Sequence, residues 1–156
     1  MFDRSISTVA HVDPEVWAAV QAEPARVKGA FEEALRLGSP QQIVYRTVKE
    51  DMEFEGYQLA AGAKVAMFLG AANRDPRQWT DPDKYDVSRN TTGIHLALGN
   101  GIHVCLGQML ARLEGECILS AIVRRARSMS PAGTPSYRLM NQVRALRNLP
   151  LDIAAT

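Results

Sequence analysis

The chain has 156 residues, 46% of them apolar and 22% charged, with a formal net charge of +1. That length can bury one core, and the near-neutral balance gives no reason to expect a nucleic acid or an anionic membrane as partner. No apolar run approaches the roughly 18 residues needed to span a bilayer, and the start, MFDRSISTVAH, lacks the basic region and apolar core of a signal peptide.

The first predicted element is a short helix in VDPEVWAAVQAEP, with Asp13 as N-cap, Pro14 at the first helical position and Pro24 at the next boundary. A second helix is predicted in ARVKGAFEEALRLG. Val27, Phe31, Ala34 and Leu35 recur there at helical spacing, and Gly38 and Pro40 end it. The period then changes. QQIVYRTVKEDMEFEGYQLAAGAKVAMFLGAA carries short β-prone runs broken at Glu55-Gly56 and at AAGA, the pattern of a small antiparallel meander.

NRDPRQWTDPDKYDVSRNTTG is dense in Pro, Asp, Asn and Arg and has almost no periodicity. It is predicted as a long loop that Trp79 and Tyr85 anchor. A glycine loop follows, then a helix in QMLARLEGECILSAIVRRA. Leu106, Leu110, Leu113, Cys117, Ala121 and Ile122 form its apolar face, with Arg112, Glu114, Glu116, Arg124 and Arg125 off it. The tail YRLMNQVRALRNLPLDI is predicted as two short strands around a turn. No repeat, low-complexity tract or linker divides the chain. Residues 1–156 are read as one domain, mainly α with small antiparallel β-sheets.

The glycine loop, LALGNGIHVCLG over residues 96–107, sets Cys105 among Gly99, Gly101 and Gly107 just before a helix. A lone cysteine is most often a small buried hydrophobe. At this junction, however, the unpaired N–H groups and dipole of the helix start favour an anion, so the sulfur is available as thiolate. Absent side chains at the glycines leave room for a flat, bulky group against the backbone. Haem iron suits such a thiolate better than zinc, which needs several closely spaced ligands; only His103 and Cys117 are near enough in sequence. The two cysteines make no disulfide framework, and a reducing, cytoplasmic compartment is expected. Glu33 and Arg36, three apart on the second helix, face the same way and alone read as a solvated pair. Arg46 and His103 taken singly read as surface charges.

Together these residues resemble the cytochrome P-450 family of haem-thiolate monooxygenases, particularly its soluble bacterial members. The family's ligand signature, Phe-Gly-x-Gly-x-His-x-Cys-x-Gly, is matched at Gly99, Gly101, His103, Cys105 and Gly107, with Leu98 in place of the Phe. EALR matches the family's Glu-x-x-Arg helix at Glu33 and Arg36. AANRDPRQWTDPDKYDVSR matches the loop before the ligand, ending in Arg89, and LGQMLARLEG matches the helix after it.

The resemblance implies haem b as cofactor, Cys105 as the axial ligand of its iron, and Arg46 and His103 as partners of its propionates. It implies that Glu33, Arg36 and Arg89 form a structural cluster that pins the ligand loop. SPQQIV and the turn from Arg144 to Leu146 would face a small organic substrate, which receives one oxygen atom of O₂ in an oxidoreductase reaction fed by a ferredoxin or reductase. Small aromatic acids, oxidised by some similar bacterial members, are one substrate alternative. The family's oxygen-activating helix, with its acid–alcohol pair, precedes the Glu-x-x-Arg helix. Counted back from Glu33 that pair falls at or before Met1, and DRSIST offers Asp3, Ser7 and Thr8 without the expected glycine-bearing apolar pattern. The implied region is therefore the C-terminal part of the cytochrome P-450 fold, truncated just after that helix, with the oxygen-activating residues upstream of Met1. An inactive truncated remnant and a small haem-binding module are the competing expectations.

Overall fold

The structure, a computed structural model, describes residues 14–155. The expected cap at Asp13 and the residues Asp3, Ser7 and Thr8 lie outside them. Helix α1 (Pro14–Ala22) ends before Pro24, whose ring forces Glu23 out of the helical region to φ −137°, ψ 87°. A single 3-10 turn (Pro24–Arg26) leads into α2 (Val27–Gly38). Gly38 stays helical, and the left-handed residue that stops α2 is Ser39 at φ 38°. A hydroxyl makes that exception workable: Ser39 Oγ donates to the Arg36 carbonyl at 2.7 Å, satisfying a group the helix end leaves open.

The expected meander is instead two nested ribbons. Strand β1 (Ile43–Thr47) pairs antiparallel with β4 (Lys64–Phe68), skipping the hairpin of β2 (Met52–Phe54) and β3 (Tyr57–Leu59) between them. Glu55 and Gly56, at φ 50° and 81°, form the two-residue hairpin turn, whose positive φ values match the strand twist. A short helix that the sequence pattern did not reveal, α3 (Leu69–Ala72), carries the chain from β4 to Asn73. The tail is nested in the same way. Strand β5 (Ala126–Pro131) pairs with β8 (Leu151–Ala155), and β6 (Ser136–Arg138) pairs with β7 (Ala145–Asn148) inside them. The mainly helical class with small antiparallel sheets is as expected from sequence.

The apolar core is small. Val20 of α1 and Val27 and Ala30 of α2 are buried together, with Val16, Val87, Leu119 and Val123 packed against them. Leu119 and Val123 belong to α4 (Gln108–Arg125), and they correct the sequence expectation about that helix. The face that packs on α2 carries Arg112, Gly115, Leu119 and Val123. Of the apolar face read from the sequence, Leu106, Leu110, Leu113 and Cys117 are exposed, while Ala121 and Ile122 are half-buried. Gly115 decides between two apolar stripes, because a bare backbone lets α2 come closest there. A Cβ at Gly115 would fall inside the van der Waals envelope of the Phe31 ring.

Gly115→Leu is therefore expected to destabilise the chain by about 1–3 kcal/mol through overpacking, outweighing the helix-propensity gain of about 1 kcal/mol. Urea unfolding followed by circular dichroism measures it; an unchanged or higher midpoint would contradict the packing described.

Candidate functional site

Among the described residues, seven polar or charged side chains are buried: those of Glu32, Glu33, Arg36, Ser39, Asn73, Thr91 and His95. Successive α2 residues, Glu32 and Glu33, point into two separate ionic clusters. Glu33 and Arg36 are 0% exposed and form a bidentate pair, with Arg36 Nε at 2.8 Å from Oε2 and Nη2 at 2.7 Å from Oε1. Arg89 Nε donates to the same Oε1 at 3.1 Å. The guanidinium of Arg36 also donates to the carbonyls of Asn73 and Pro82 at 2.7 Å and of Lys84 at 3.2 Å, and it stacks 5.1 Å from the Trp79 ring centre. Arg89 Nη1 reaches the Thr80 carbonyl at 2.6 Å.

The loop after Asn73 is thus wrapped around two arginines that satisfy its backbone carbonyls, which explains how it is ordered without regular structure. Trp79 is buried and donates to Ala72, and Tyr85 donates to the Ala30 carbonyl at 2.5 Å. Burial, with the Glu33 carboxylate nearby, pushes the Tyr85 hydroxyl well above the usual tyrosine range.

Glu32 serves the second cluster, which sequence reading missed. Arg112 Nε donates to its Oε1 at 2.5 Å, and His95 Nε2 lies 2.9 Å from its Oε2. The Ala97 N–H donates to His95 Nδ1 at 3.2 Å, a pattern that assigns the ring hydrogen to Nε2, facing Glu32. Burial pushes the Glu32 carboxyl up, but the hydrogen bonds from Arg112 and His95, with the charge of Arg112, outweigh it and hold the group below its ordinary value of 4.5.

Stabilisation by a group with a lowered folded value is fully present above its unfolded value and is lost as pH falls through the folded one. The urea midpoint of the wild-type chain should therefore fall as pH drops below 4.5, with a steeper decline than in Glu32→Gln. Parallel midpoint-against-pH curves for the two proteins would contradict this.

The glycine loop runs between these clusters and α4. Gly99 takes φ +76°, and a Cβ there would meet the His103 carbonyl oxygen at 2.7 Å. Gly101, at φ +61°, opens a 3-10 turn (Gly101–His103). These two glycines therefore meet the loop's own backbone needs before those of any ligand. Gly107, the N-cap of α4, is different: a Cβ added there would lie 4.0 Å from Cys105 Sγ. Cys105 lies just before α4, its N–H donating to the Leu98 carbonyl at 2.8 Å and its carbonyl accepting from Gln108 N at 3.2 Å.

The thiol is exposed, and so are the apolar side chains around it in the loop and the start of α4: Ile94, Ile102, Val104, Leu106, Met109 and Leu110. A thiol beside so much bare apolar surface fits a flat apolar macrocycle with a thiolate-liganded metal. Among the described residues no group of three or more His, Cys, Asp or Glu comes together as metal ligands. His103 is exposed on its turn, and half-buried Arg46 sits on β1 opposite Val65. Arg46 donates to the Tyr45 carbonyl, and no hydrogen bond or ion pair joins it to His103 among the described residues. The structure does bring together the two segments thought to face substrate. Gln42 N donates to the Gln142 carbonyl and Arg144 N to that of Pro40, both at 2.7 Å.

The sequence profile of the cytochrome P-450 family matches residues 26–151, four-fifths of the chain and both ionic clusters. The chain belongs to the cytochrome P-450 family. It is 46% identical over 140 residues to the cytochrome p450 CYP199A2 of Rhodopseudomonas palustris, an alignment covering 90% of this chain and 34% of the relative. It is 39% identical to the biotin biosynthesis cytochrome P-450 of Bacillus subtilis, over 88% of this chain and 35% of that one. Among solved structures, CYP108D1 from Novosphingobium aromaticivorans superposes with a TM-score of 0.88 at 36% identity, covering 97% of this chain and 36% of that protein. The chain spans about a third of the length of the curated relatives it matches. Members of this family are haem-thiolate monooxygenases. Among the described residues, no helix is long and apolar enough to cross a membrane.

Proposed function

We propose that residues 1–156 form the haem-ligand region of a cytochrome P-450 monooxygenase acting in the cytoplasm. Cys105 is the thiolate ligand of haem b, and Arg46 and His103 hold the propionates. Gly107 keeps the space beside the sulfur clear, while Gly99 and Gly101 shape the loop. The exposed apolar side chains around Cys105 exclude water from the face of a bound macrocycle. Glu33, Arg36 and Arg89 hold the preceding loop, and SPQQIV (residues 39–44) and the turn from Arg144 to Leu146 border the substrate, a small organic molecule. Bound haem supplies oxygen activation by electrons drawn from a ferredoxin or reductase. One observation carries this reading: an exposed cysteine, fixed at both its N–H and its carbonyl, beside bare apolar surface.

A second reading, a haem-binding module without coupled oxygenation, draws on the exposure of that same apolar surface. Ile102 is 96% exposed and Leu106 is fully exposed, and on this reading water would reach the open face of anything bound beside them. Haem titration of the purified chain tests the proposal: saturable binding with a thiolate-type reduced carbonyl spectrum is expected. Absence of binding overturns both readings. Supplying a bacterial electron-transfer pair and a panel of small aromatic acids then separates them. Hydroxylation stoichiometric with electrons consumed favours the monooxygenase reading, and peroxide release without product favours the module.

A further inference from the structure

We infer that Glu32, His95 and Arg112 are positioning residues for the Cys105 thiolate, a role that rests on the proposed ligation by Cys105. The sulfur is exposed, so side-chain packing does not fix it; the loop backbone must. Both polar backbone groups of Cys105 are held by routes that lead back to the one Glu32 carboxylate. On one side Glu32 orients His95, and His95 Nδ1 accepts the Ala97 N–H; the next residue, Leu98, offers its carbonyl to the Cys105 N–H. The Leu96 N–H, between them, is fixed at 2.7 Å by Asn73 Oδ1. On the other side Arg112, bonded to Glu32, donates from Nη1 to Gln108 Oε1 at 2.7 Å, and the Gln108 N–H donates to the Cys105 carbonyl.

The residue before the glycine loop and the helix after it are therefore clamped to one point on α2. Replacing a buried ionic group with apolar side chains is often neutral or stabilising, so holding a fixed geometry is the better explanation for this one. Groups that orient metal ligands commonly matter to binding nearly as much as the ligands themselves.

The test uses two readouts on the full chain with Glu32→Gln and His95→Gln. In the haem-free chain, amide hydrogen exchange resolved by residue is expected to accelerate at Ala97 and Cys105 while α1 and the β1–β4 ribbon keep wild-type protection. In the titrated chain, haem affinity should fall by about 10–100-fold, with the thiolate-type carbonyl band partly replaced by a non-thiolate one. Arg112→Gln leaves the Glu32–His95 pair intact and serves if the buried variants are insoluble; it should loosen the Cys105 side alone. Arg112→Lys keeps the charge but not the planar fork and should rescue only in part. Uniform acceleration of exchange across the chain, or unchanged exchange and spectrum in soluble variants, overturns the inference. Loss of the proposed ligation itself would show differently, as a Cys105→Ser protein that keeps the thiolate spectrum.

Discussion

Cys105→Ser is expected to abolish the thiolate-type reduced carbonyl spectrum of the haem-loaded chain, and Cys117→Ser to leave it intact. Exposure does not separate the two sulfurs, since both are exposed, Cys117 included although it stands on the apolar face read for its helix. Their settings do separate them. Cys117 lies within α4, where every backbone neighbour carries a helix side chain except Gly115. Cys105 lies on a loop with open space toward Gly107, its backbone bonded on both sides, next to Ile102, Val104 and Leu106. Serine offers a far weaker ligand than thiolate, so the effect should be all-or-none. Retention of the signature by Cys105→Ser together with its loss in Cys117→Ser would reverse the assignment.

The second large effect is expected at the Glu33 cluster. Arg36→Ala leaves the Glu33 carboxylate, 0% exposed, with Arg89 as its one remaining cation among the described residues, and strips donors from the carbonyls of Asn73, Pro82 and Lys84. Removing one partner from a buried ion pair costs about 3–5 kcal/mol, against a total stability of about 5–15 kcal/mol for an ordinary domain. Arg36→Ala and Arg89→Ala should accordingly give insoluble or haem-free protein, the second more mildly because Arg89 lies nearer the surface. Solubility, denaturant midpoint and haem content measure this. A soluble Arg36→Ala protein with normal haem content and only slower turnover would show that the cluster acts in a chemical step instead.

What local sequence could determine, it did. Pro24 sets a helix boundary because its ring acts on the residue before it, and Glu55-Gly56 turns a hairpin because both residues take positive φ. Glu33 and Arg36 share a face because they stand three apart on a helix, and the glycines around Cys105 mark a loop no regular element could accommodate. The partners of neighbouring charges are another matter. Glu32 and Glu33 are the same residue type side by side, yet one finds Arg112 and His95, 80 and 63 positions away, and the other finds Arg89, 56 away. Periodicity gives each a direction but not what will stand there.

The same holds for α4, whose sequence carries two apolar stripes; close approach of Phe31 at Gly115 selected the one with Leu119 and Val123 and left Leu106, Leu110 and Leu113 outside. It holds for the ribbons, where β1 passes over its nearest neighbours to pair with β4, and the tail repeats that nesting. Helical spacing, turn chemistry and capping act over a few residues and are written in a few residues. The choice of packed face, ionic partner and strand pairing is made by the assembled chain, because its energy comes from surfaces that exist only once distant segments have met.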